Sequence, residues 1–108
     1  MIEQKREYYR VEYPENDRPA LVVMDHEFEI LDVSEGGVRF KVEKAGDFII
    51  GELLGATIKF ADDYTFKCTG KIVRVDDDNV AINNIHHIPL ERIRAEHLLM
   101  IRKYNPRH

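Results

Sequence analysis

Arg6 and Arg10 stand four residues apart near the start of the chain, and Asp32, Ser34, Gly36 and Gly37 form an Asp-x-Ser-x-Gly-Gly run about two dozen residues later. An arginine presents a planar fork of donors that grips a phosphate, or the O6 and N7 edge of a guanine, with two parallel hydrogen bonds. A carboxylate such as Asp32 does the converse and accepts from a guanine's ring and amino N–H groups. Ser34 adds a hydroxyl that donates or accepts, and Gly36 and Gly37 permit positive φ and a close approach of backbone to ligand. Arg39, just after the glycines, is an accessory candidate. Each set also has an ordinary explanation: Arg6 and Arg10 as solvated charges paired with Glu3 or Glu7, and Asp32 and Ser34 as the side chains of a plain turn.

Other chemistries find little support. The five histidines, His26, His86, His87, His97 and His108, show no chelating spacing, and the adjacent His86 and His87 would point to opposite faces of a strand. Asp76-Asp77-Asp78-Asn79 lacks the glycine and terminal glutamate of a calcium loop, with Ala81 and His87 at those places. No metal site and no cofactor are expected. Ser34 has no nucleophile-elbow setting, and no phosphate-loop or dinucleotide fingerprint occurs, so the chain does not read as an enzyme.

The 108 residues suffice for one domain, and the net charge is −4. A general polyanion binder would be basic, which argues against nucleic acid as partner. Apolar runs reach only four or five residues, too short to insert in a membrane. The first residues lack the apolar core of a signal peptide, and Cys68, the single cysteine, suits a reducing cytoplasm.

Residues 1–18 are polar, are broken by Pro14, and read as a flexible arm. From Ala20 onward the pattern is that of short strands: Ala20–Met24, Phe28–Ser34, Val38–Val42, Ala56–Phe60, Tyr64–Ile72 and Val80–Ile85. Residues 44–55 read as a loop packed on the core, and Gly70 as a bulge or bend. From Pro89 the period changes: Leu90, Ile93, His97, Leu98, Ile101 and Tyr104 follow helical spacing, predicting an amphipathic helix over 89–104. The fold expected is all-β with a C-terminal helix: a six-stranded antiparallel barrel over 19–108, preceded by the arm.

The Arg-x-x-x-Arg pair, the Asp-x-Ser-x-x-Gly run and this strand plan together resemble the PilZ domain family of bacterial cyclic di-GMP receptors. The resemblance covers nearly the whole chain. It departs at the sixth strand, where Ala81 and Ile85 replace a glycine and an aromatic common in relatives. It implies ligand contacts at Arg6, Arg10, Asp32, Ser34 and Gly37, with Gly36 as an accessory. It also implies that Lys5, just before the first arginine, bears on whether one ligand or a stacked pair binds. The function expected is a cytoplasmic receptor, monomer or weak dimer, that binds cyclic di-GMP, orders its arm and reports to a protein partner in motility, adhesion or biofilm-type processes. The alternative is a degenerate PilZ-like interaction module of pilus or flagellar machinery that binds no nucleotide.

Overall fold

A computed structural model describes residues 9–104. In chain order the elements are β1 (Arg10–Glu12), β2 (Ala20–Val23), β3 (His26–Ser34), β4 (Gly37–Lys41), β5 (Leu53–Lys59), β6 (Thr65–Val75), β7 (Asn79–Asn84) and α1 (Leu90–Tyr104). Single 3-10 turns occupy Glu15–Asp17 and Ala45–Asp47. All strand pairs are antiparallel. The ladder runs β3, β2, β5, β6, β7, β4 and returns to β3, so six strands close into a barrel, as the alternating sequence predicts.

Alternation decides what fills it. Val38 and Phe40 of β4, Cys68, Gly70 and Ile72 of β6, and Val80 and Ile82 of β7 are buried, while the residues that alternate with them face outward. Each large apolar side chain so enclosed contributes roughly 1.5–3 kcal/mol. Phe28 and Phe48 pack on the buried Phe40, with ring centroids 5.4–5.8 Å apart. α1 joins the core through Ile93, which is fully buried.

The seventh strand corrects the expected arm. β1 lies within the 1–18 segment yet pairs with the second half of β3, along the edge whose first half holds β2. Val11 and Tyr13 are buried. Three residues are too few to show a period, and what holds them is remote in sequence. The Tyr13 hydroxyl donates to Glu96 Oε1 on α1 at 2.7 Å, and Asp17 takes hydrogen bonds from Lys103 and Tyr104.

The helix differs from its expected stripe for the same reason. Glu96 is buried, whereas Leu98 is about half exposed. Tyr13 and Arg92 satisfy the carboxylate of Glu96, the latter donating from Nη1 to Oε2 at 3.0 Å. Arg92 also donates to Asp62 and stacks over the Tyr64 ring at 4.0 Å. Residues 44–55 are shorter as a loop than expected, because β5 already begins at Leu53. Gly70 keeps regular register with Leu54 and Asn84. The bulge of β6 is instead at Val73.

Candidate functional site

Asp32 owes its outward direction to a register shift. On β3, Phe28 and Ile30 point toward the core, and strict alternation would send Asp32 there too. The pairing with β4 slips between Ile30 and Asp32, so Leu31 is an extra residue. Ile30 and Val33 are both buried, and Asp32 and Ser34 turn to the outer face. There Asp32 stands directly opposite Arg39 on β4 and Glu12 on β1, while Ser34 stands opposite Arg10.

Cross-strand neighbours share a face, so this register gathers Arg10, Asp32, Ser34 and Arg39 on one surface. Arg39 donates from Nε to Asp32 Oδ2 at 2.7 Å. Asp32 is thus no Asx-turn residue. It is a shielded carboxylate, 6% exposed, with Oδ2 paired to an arginine. The adjoining loop is held from the far side: Asn84 N–H donates to the Gly36 carbonyl at 2.7 Å, and Ile88 N–H to the Glu35 carbonyl at 2.9 Å.

Gly37 answers to crowding rather than to φ. A Cβ placed there would sit 2.9 Å from the Ile82 carbonyl oxygen. The glycine with left-handed φ (98°) is Gly51, away from this site. A bare Gly37 lets β4 approach β7 and leaves the floor open beside Ser34.

These residues line an open cleft of about 470 Å³. Arg10, Asp32, Ser34, Gly36, Gly37 and Arg39 all belong to its wall. Of the residues expected to bind, Arg6 and the accessory Lys5 lie outside the described residues. The remaining lining comes from elsewhere in the sequence: Arg74, Ala81, Asn83, Asn84 and His87. Arg74 escapes a sequence reading because continued alternation along β6 would turn it inward with Ile72. The bulge at Val73 reverses its phase and sets it opposite Ala81 on the outer face. Three arginines line the cleft against one carboxylate, on a chain that is acidic as a whole, and such a concentration of donors suits a small anion. Among the described residues no cluster of three or more metal-ligating side chains occurs, and no helix is long and apolar enough to cross a membrane.

The chain matches the PilZ domain family over residues 4–99. No curated protein matches it in sequence. Among solved structures it is similar to YcgR of Escherichia coli in complex with cyclic di-GMP, at 16% identity and a TM-score of 0.71, covering 96% of this chain and 50% of that one. It is also similar to the inhibitor of motility MotI/DgrA of Bacillus subtilis, at 14% identity and a TM-score of 0.66, covering 94% and 52%. An uncharacterized Legionella protein aligns at 16% identity and a TM-score of 0.54, covering 93% and 98%. The chain spans about half the length of YcgR and of MotI/DgrA.

Proposed function

The chain belongs to the PilZ domain family, and from that premise we propose that it is a receptor for cyclic di-GMP. One observation carries the reading: Arg10, Asp32, Ser34 and Gly37, which come from the two halves of the family's signature, converge on a single arginine-rich cleft. The likeness to YcgR, solved with this nucleotide, supports it.

In the proposed complex, Arg10 grips a phosphate above Ser34. The Asp32 carboxylate accepts N–H groups of one guanine. Arg39, fixed by Asp32 at Nε, presents its two terminal nitrogens to the ligand. Gly37 leaves room for the sugar–phosphate ring. Arg6 closes over the ligand from the segment before β1, and the ligand orders that segment. The paired strand β1 is the hinge from which it extends. The altered surface is then read by a protein partner. Since MotI/DgrA is an inhibitor of motility, motility is the process proposed for this chain, acting as a monomer or weak dimer in the cytoplasm.

Calorimetric titration with cyclic di-GMP, with cyclic di-AMP and GTP as controls, tests the reading. Selective binding of cyclic di-GMP is expected, because adenine has an amino donor where guanine has O6. No heat with cyclic di-GMP would overturn the reading and leave an interaction module that binds no nucleotide.

A further inference from the structure

Cyclic di-GMP carries two guanines, and the residues discussed above account for only one. The cleft extends past them. Five outward residues stand in one row across five strands: Glu12 on β1, Asp32 on β3, Arg39 on β4, Ala81 on β7 and Arg74 on β6, each directly opposite the next. Adjacent strands lie about 4.8 Å apart, so the Cα atoms of Arg39 and Arg74 are about 10 Å apart, with only the methyl of Ala81 between them. The row is therefore a trough with a small apolar floor and an arginine on each side.

Both arginines are engaged at Nε: Arg39 by the shielded Asp32 Oδ2 across the ladder at 2.7 Å, and Arg74 by the exposed Asp76 Oδ2 two residues further along the chain at 3.1 Å. A guanidinium anchored at Nε keeps its two terminal nitrogens for a bidentate acceptor, and the O6 and N7 edge of guanine is one. The bulge at Val73 has an evident consequence here. Without it Arg74 would face Val80 from inside the barrel; with it Arg74 reaches the cleft.

Resting on the cyclic di-GMP reading, we propose that Arg74 recognises the second guanine, which lies on the Ala81 methyl with its O6 and N7 edge toward the arginine. Asp32 recognises the first. The site is thus two guanine subsites of unlike chemistry: an acceptor that takes N–H groups and a donor fork that takes O6 and N7.

The mixed dinucleotide 3′,3′-cyclic GMP–AMP separates them, because it can satisfy Asp32 with its guanine while offering Arg74 only an adenine. Full-chain wild type, Arg74→Ala and Arg74→Lys are titrated by calorimetry with cyclic di-GMP and with the mixed dinucleotide. Thermal unfolding serves as a folding control. Wild type should prefer cyclic di-GMP by on the order of tenfold or more. Arg74→Ala should bind cyclic di-GMP on the order of ten- to a hundredfold more weakly and lose the preference. Arg74→Lys keeps the charge without the fork, so it should retain more affinity yet also lose the preference. Ala81→Leu, which fills the floor without altering charge, should weaken both nucleotides. If Arg74→Ala binds cyclic di-GMP as wild type does, with its preference intact, the proposal is overturned while the receptor reading stands. Equal weakening for both nucleotides with preference retained would make Arg74 a general anion contact and overturn the guanine assignment. Failure of wild type to bind cyclic di-GMP would remove the receptor reading, and this one with it.

Discussion

Asp32 and Arg39 illustrate how much one side chain's role depends on its neighbour. The Asp32 side chain is 8% exposed and that of Arg39 30%, so their ion pair is partly shielded and harder to replace by water than a surface pair. Arg39→Ala should leave a shielded carboxylate without its donor and lower unfolding free energy by about 1–3 kcal/mol, read by urea denaturation. Asp32→Asn removes the charge and should cost less than Arg39→Ala does, while still removing discrimination at the first guanine in titrations. Arg10→Ala should behave differently again. Arg10 lies on the short outer strand and faces the cleft, so the variant should bind cyclic di-GMP at least about tenfold more weakly with a thermal midpoint close to wild type.

At the scale of elements, close packing and one long tether decide the geometry of the cleft. Gly70 faces Ile82 so tightly that a Cβ would lie 2.7 Å from the Ile82 Cδ1, and Gly37 meets the backbone of the same residue. Gly37→Ala and Gly70→Ala should each destabilise by about 1–3 kcal/mol, because β7 must move or the side chain of Ile82 must leave its rotamer. Denaturant midpoints with unchanged slopes would bear this out. The tether is the contact of 9–17 with α1. Its hydrogen bonds from Lys103 and Tyr104 hold Asp17 below the ordinary carboxylate value of 3.8, and the bond from Arg92 does the same for Asp62. Depressed carboxylates contribute stability that is present above 3.8 and lost as pH falls through their folded values. On the other limb, burial pushes the Cys68 thiol from 9.0 up to about 11, and burial with the Glu96 bond raises the Tyr13 hydroxyl above its usual 10.0. Raised groups contribute stability that is present below their unfolded values and lost as pH rises past them. Urea midpoints measured against pH should therefore be flat from roughly pH 5 to pH 9 and decline on both sides. In Tyr13→Phe the contribution of Tyr13 to the alkaline decline should disappear.

At the scale of the whole molecule, the barrel is a platform whose outer face, rather than its filled interior, carries the candidate cleft. Ligand that binds only the folded state should raise stability by about 2.7 kcal/mol at a concentration of one hundred Kd, without repacking of the interior. Hydrogen exchange should show β4 and the inner positions of β6 unchanged by cyclic di-GMP. Protection should rise at the cleft rim and in the segment preceding β1. Amides of Arg10–Glu12 should already be slow in the free protein, because β1 pairs with β3. Unchanged exchange before β1 on saturation would leave binding intact but remove ordering of that segment as the signal.

Much of this was legible in the residues themselves. Period-two alternation located six strands, since one buried face demands it, and the switch to helical spacing after Pro89 located α1. The residue types of Arg10, Asp32, Ser34 and Gly37 pointed to a polar surface suited to an anion, and the fold brings all four to one cleft. Three things were settled only by the tertiary structure. β1 pairs with β3, and the chain after it is held by the bond of Tyr13 to Glu96 on α1, a contact spanning more than eighty residues that no local pattern records. The stripe of α1 carries Glu96 because Tyr13 and Arg92 supply the partners that make its burial tolerable. Above all, the two bulges at Leu31 and Val73 set which face Asp32, Ser34 and Arg74 occupy. One extra residue inverts every side chain beyond it, and whether a strand takes that residue in depends on the partner strand's register, which the strand's own sequence does not contain.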